Sequence, residues 1–164
     1  MNSSDNITGI LPYDPGRAPT LPAPEPGAKI EFLVAGLPPY KETSRSIRNP
    51  KHPRYDSFVA LRNAATKAMN GCAWYRGPIQ LDMVIYAESL HENKRLVDYL
   101  AGVMDTLDGS SGPSFTYLPI AYQNDCQVCS SGNTFVQSDK NCYAIRVVFL
   151  DPDAPPELPS WFDG

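Results

Sequence analysis

The chain has 164 residues, enough for one packed core, and 42% hydrophobic with 20% charged residues is the make-up of a globular domain rather than a disordered one. No run of about 18 apolar residues is present and the N-terminus lacks a basic start and apolar stretch, so no membrane span or secretory signal is expected and a cytoplasmic setting is. The net charge of −4 argues against a protein that coats nucleic acid non-specifically.

Residues 1–28 carry Pro12, Pro15, Pro19, Pro22, Pro24 and Pro26 and few large apolar side chains, which predicts a flexible proline-rich tail. Residues 151–164 repeat the pattern with Pro152, Pro155, Pro156 and Pro159. One domain is expected between them, over residues 29–150.

Ile30–Ala35 has the β-branched and aromatic content of a strand, stopped by Gly36 and Pro38-Pro39. Residues 40–76 then hold eight of the fourteen basic residues against Glu42 and Asp56, a local charge of +6; the other six basic and sixteen acidic residues leave −10. Such an asymmetry sets phosphate-binding charge, with Lys41, Arg45, Arg48, Lys51 and Arg54 as candidates, beside a separate set of carboxylates. A solvated basic surface with no nucleic-acid partner has the same composition.

Phe58, Leu61, Ala65, Ala68 and Met69 recur at helical spacing, with Asp56 as candidate cap and Gly71 as stop. Ile79, Leu81, Met83 and Ile85 alternate as one face of a half-buried strand over residues 79–86. A second helix is expected over residues 95–107, burying Leu96, Leu100, Val103 and Leu107 and ended by Asp108-Gly109. A Gly/Ser/Pro-rich loop leads to Tyr117–Tyr122, and Tyr143, Ile145, Val147 and Phe149 mark a last strand over residues 142–150. The order β, α, β, α, β predicts an α/β (α+β) fold, a mixed sheet with two helices packed on it.

Asp98 and Asp105 lie seven residues apart, about two turns, on one face of the second helix, with Gly102 between them. Glycine lowers helix propensity by roughly 1 kcal/mol relative to alanine, so its presence points to a close backbone approach there. If the segment containing Asp125 returns beside that helix, three carboxylates meet, and carboxylate oxygens are the ligands Mg²⁺ prefers. The four cysteines read as free thiols; Cys126-x-x-Cys129 alone lacks the second ligand pair of a closed zinc site. His52 and His91, both in polar loops, are assigned no role.

Four segments together carry a resemblance: Phe32-Leu33-Val34-Ala35-Gly36-Leu37-Pro38-Pro39, the helix from Asp56, residues 97–109 containing Asp105-Thr106-Leu107, and Asn124-Asp125-Cys126-Gln127-Val128. In this order they resemble the RusA family of Holliday-junction resolvases over roughly residues 29–150, with D-x-L and D-x-Q-V the most specific elements. The resemblance implies a homodimer that resolves branched DNA in recombination and repair by Mg²⁺-dependent cleavage (Mn²⁺ as an alternative), in a bacterial or phage setting. It implies Asp98, Asp105 and Asp125 as catalytic residues, with Asp98 and Asp125 on the metal. The sequence departs from the family's D-x-D-N element, since Asp98 has no acidic partner two residues before it, and Asn124 replaces the first aspartate of a D-D pair. Glu88 or Glu92 is then the expected source of the missing carboxylate, and the alternative is a RusA-like DNA-binding protein without catalysis.

Overall fold

The structure, a computed structural model, describes residues 19–41, 46–109, 118–154, 157–158 and 160–161. Strand β1 (Lys29–Ala35), helix α1 (Tyr55–Met69), strand β2 (Ile79–Ala87), helix α2 (Leu96–Leu107), strand β3 (Val128–Gln137) and strand β4 (Cys142–Phe149) follow in that order. They form one four-stranded mixed sheet, ordered β1-β4-β2-β3, in which β4 runs antiparallel to both neighbours and β2 runs parallel to β3. The α+β class expected from the sequence is the class observed.

The alternation in β2 builds the core. Ile79, Leu81, Met83 and Ile85 are buried, as are Tyr143, Ile145, Val147 and Phe149 of β4, and they join Leu61 and Ala65 of α1 and Tyr99, Val103 and Leu107 of α2 in one cluster. Each such aliphatic side chain contributes about 1.5–3 kcal/mol by leaving water. Both helices thus lie on one face of the sheet, and the alternate residues Gln80, Asp82, Val84 and Tyr86 on the other face are half-buried.

Strand β3 was not expected, because its sequence VCSSGNTFVQ has no sustained apolar alternation. Its conformation is imposed by the parallel ladder with β2, from Ile79↔Val128 to Ala87↔Gln137. The segment ending at Tyr122, by contrast, makes only an isolated bridge between Tyr75 and Tyr122, although Ile120, Ala121 and Tyr122 are buried; Tyr117 lies outside the described residues. Asp56 does not cap α1. Arg54 occupies the cap position without a side-chain cap bond, and Asp56 stands in the first turn, where its charge faces the positive helix end.

Part of the N-terminal tail is fastened to the domain. The backbone N–H groups of Thr20 and Leu21 donate to the Gly71 carbonyl at 3.1 and 3.0 Å, Ala73 N–H donates to Leu21, and Gly27 N–H donates to Phe149. The fixed part of the chain therefore begins before residue 29; residues 1–18 lie outside the described region. In the C-terminal segment Trp161 is exposed, and Phe162 lies outside the described residues. Among the described residues no helix is long and apolar enough to cross a membrane.

Candidate metal centre

The C-terminal end of α2 is held from several sides. Arg62 of α1, fully buried, donates from Nη1 to the Thr106 carbonyl at 3.0 Å and from Nη2 to the Leu118 carbonyl at 2.7 Å. Tyr122 Oη donates to the Met104 carbonyl at 3.0 Å. Gly102 lets the loop after β1 lie directly on the helix: a Cβ there would stand 2.1 Å from the Pro39 carbonyl oxygen and 2.8 Å from Tyr40 Cα. The close approach that the sequence predicted at this glycine is present.

Asp125 arrives from the other side, in a single 3₁₀ turn (Asp125–Gln127) just before β3. The turn is fixed by its neighbours. Asn124 Oδ1 accepts from Cys126 N–H at 3.0 Å, and Gln127 Oε1 accepts from the N–H groups of Gln123 and Asn124 at 2.8 and 3.1 Å. Gln127 Nε2 donates to the carbonyls of Tyr75 and Gly77 at 2.9 and 2.8 Å. The glutamine of D-x-Q-V thus clamps the segment that carries Asp125 against the loop before β2.

Asp105, Asp108 and Asp125 each bring a carboxylate oxygen within 4.8 Å of the other two. Asp98 is not in this group. Its Oδ2 accepts from Arg95 N–H at 2.8 Å as the acidic member of a capping box at the opposite end of α2. Seven residues of helix rise about 10.5 Å, too far for Asp98 and Asp105 to share one ion, whereas Asp105 and Asp108 are separated by only about 4.5 Å of rise. The expected pairing of Asp98 with Asp125 as metal ligands is thereby corrected, with Asp108 in the place given to Asp98. Glu88 and Glu92 are exposed, lie in the loop leading into the N-terminal end of α2, and do not belong to the group either.

Asp108 was read only as a helix stop. The signal that would have found it is its i,i+3 relation to Asp105 across the last turn. Burial, and after it the Asp125 charge, raises Asp108 from 3.8 to about 7 against the opposing pull of Arg48. Burial, then the Asp105 charge, also raises Asp125, opposed by a hydrogen bond with Asp108 and by the Lys41 and Arg48 charges. The hydrogen bond between the two adds to the rise at Asp108 and works against it at Asp125.

Two basic residues answer this negative charge. Arg48 Nη2 lies 2.7 Å from Asp108 Oδ1 and 2.6 Å from the Asp105 carbonyl oxygen, and Lys41 Nζ lies 3.2 Å from Asp105 Oδ2. The remaining basic candidates divide. Arg54 is half-buried, donates from Nη2 to the Leu37 carbonyl at 3.3 Å and lies over the Tyr40 ring, while Lys51 is exposed. Arg45 lies outside the described residues. The basic stretch is therefore not one solvated surface, because Arg48 and Arg54 point inward to carbonyls that need donors.

The donor set fits a hard divalent cation. All three groups offer oxygen, as Mg²⁺ requires. They cluster at the negative end of α2, where positive charge is favoured. Asp125 Oδ1 is buried with no hydrogen-bond partner among the described residues, and burial first of all raises the Asp108 carboxyl to about 7. Cys126 and Cys129 are exposed free thiols outside the group.

The fold and site together define a small α+β domain with a three-carboxylate centre at a helix C-terminus. No known protein-family model matches the sequence, and no curated protein matches it.

Proposed function

We propose that the protein is a Mg²⁺-dependent endodeoxyribonuclease that acts on branched DNA as a homodimer, in the manner of the RusA-type resolvases whose motifs its sequence resembles. The observation that carries this reading is the meeting of Asp105, from the D-x-L element, with Asp125, from the D-x-Q-V element, completed by Asp108 within 4.8 Å. Two motif segments separated by a loop converge on one oxygen-rich point.

In this reading Asp105, Asp108 and Asp125 hold the ion, with Mn²⁺ as a substitute of the same preference for oxygen. When bound, the ion supplies charge neutralisation on a phosphate and a more acidic water. The chain's own residues do the rest. The ionised carboxylates of Asp108 and Asp125 bind and orient, and either can take a proton from water. Lys41, exposed beside Asp105, receives a neighbouring phosphate, and Lys51 extends the contact along the backbone. Arg48 positions Asp108 and the last turn of α2 instead of contacting DNA.

The testing experiment is incubation of the full chain with an end-labelled four-way junction and with linear duplex, in Mg²⁺, Mn²⁺ and EDTA. Paired cuts in the junction that require the metal are expected. A second reading has a specific observation in its favour: Arg48 and Lys41 already pair with Asp108 and Asp105, as they would in a protein whose acidic cluster is neutralised internally. That protein binds junctions without cutting them, so tight binding with no metal-dependent product selects it.

A further inference from the structure

Among the described residues the outer strand β3 pairs on one side only, with β2. Edge strands of monomers are ordinarily protected by lysines, prolines or inward charges, since a row of open backbone groups templates pairing with another chain. The opposite edge follows that rule, with Lys29 and Glu31 in β1. β3 does not. Val128–Gln137 contains no charged residue and no proline, and Cys129, Ser130, Ser131, Gly132, Thr134, Val136 and Gln137 are exposed.

The strand is also complementary to itself. Laid antiparallel on a second copy and centred on Gly132, it sets Ser130 against Thr134 and Gly132 against its own equivalent on the face that Gln80 and Asp82 share. On the other face Ser131 meets Asn133, and the register shift opposite Ile79/Gln80 leaves Val128 and Cys129 out of this alternation. Hydroxyls meet hydroxyls or an amide, which are stabilising cross-strand pairs. The glycine at the centre leaves room where the two copies approach most closely.

We infer that β3 is the dimerisation edge, pairing antiparallel with β3 of a second copy about a two-fold axis through Gly132 to make one eight-stranded sheet. The inference deepens the homodimer part of the function proposed above. An axis perpendicular to the sheet keeps both helix layers on the same side. It also places the two carboxylate groups, each just before its β3, on that one side, as a substrate cut symmetrically requires.

Sedimentation velocity of the full chain over a concentration series tests this without DNA or metal, so its outcome is separate from that of the cleavage reading. Wild type should show a concentration-dependent dimer. The double substitution Ser130→Lys/Thr134→Lys sets lysine against lysine twice across the axis and should weaken association by about tenfold or more. Ser130→Lys/Thr134→Glu sets each lysine against a glutamate and should restore it. Both positions are exposed in the single chain, and circular dichroism checks that the sheet persists. Should the lysine pair unfold, Ser130→Cys/Thr134→Cys must yield an oxidised covalent dimer beyond the wild-type level. A wild type that stays monomeric, a dimer indifferent to the lysine pair, or a cysteine pair that adds no cross-link overturns the inference.

Discussion

Arg48 bridges two acceptors of one helix end, with the same Nη2 2.7 Å from Asp108 Oδ1 and 2.6 Å from the Asp105 carbonyl oxygen, and its side chain is only 17% exposed. A charge at that depth both ties the loop before α1 to α2 and takes up part of the negative potential a divalent ion would use. Arg48→Met should therefore lower stability by about 1–3 kcal/mol in EDTA, as loss of a charged hydrogen-bond donor does. The same variant should gain more in melting temperature from added Mg²⁺ than wild type does, because a competing cation is gone. An equal gain in both proteins would show that Arg48 and the ion do not compete.

The three aspartates and Asp98 separate by substitution. Asp108→Asn and Asp125→Asn should each abolish metal-dependent protection against unfolding and any junction cleavage, while junction binding is kept or strengthened by the loss of negative charge. Asp98→Asn should retain both, with a stability loss of about 0.5–1 kcal/mol from the weakened capping box. Thermal melts in Mg²⁺ and EDTA, run beside the cleavage assay, make the comparison. Loss of metal protection in Asp98→Asn alone would return the metal site to the N-terminal end of α2.

Much of the fold was legible from periodicity. β2 and β4 alternate because they lie at the centre of a half-covered sheet, and both helices repeat their apolar residues on the face they bury. β3 was not legible, since its pattern is that of an edge and its partner lies some fifty residues away in the chain. In the site, Asp105 and Asp125 were found from their motifs, but Asp98 was favoured over Asp108 because sharing a helix face was given more weight than distance along the helix. Charge counting likewise gave no sign of what Arg48, Arg54 and Arg62 bind. Each donates to a backbone carbonyl of another segment, an acceptor that no side-chain pattern reveals.

Asp108 makes stability depend on pH. Its carboxyl titrates near 7 in the folded chain against an ordinary 3.8, so between those values the folded state holds a proton that the unfolded chain has released. Stability from this group is thus greatest at low pH and falls as pH rises from about 4 to about 7, by about 1–3 kcal/mol after allowance for relaxation. Asp108→Asn should flatten that part of the profile in EDTA. Mg²⁺ should reverse its sign, because binding requires the ionised carboxylate and releases the proton; denaturant melts at several pH values, with and without the ion, measure both slopes.

Gly102 gives the last test, because it joins the fold to the site through backbone contact alone. The Cβ of an alanine would meet the Pro39 carbonyl oxygen at 2.1 Å, the Pro39 carbonyl carbon at 2.6 Å and Tyr40 Cα at 2.8 Å, so no side-chain rotation relieves the clash and the loop itself must move. Helix propensity alone favours alanine by about 1 kcal/mol, so the sign of the change reports which effect wins. Gly102→Ala should destabilise by about 2 kcal/mol or more, within the range for overpacking against backbone. The displaced loop carries Lys41, whose Nζ pairs with Asp105 Oδ2 at 3.2 Å and whose N–H donates to the Asp98 carbonyl at 3.3 Å. The variant should therefore also lose the Lys41 contribution to junction binding, seen as a salt slope shallower by up to about 0.9. Lys41→Ala should shift the slope equally while leaving stability within about 1 kcal/mol of wild type, as expected for an ion pair whose lysine is largely exposed. A stabilised Gly102→Ala protein would show that the loop does not rest on the helix.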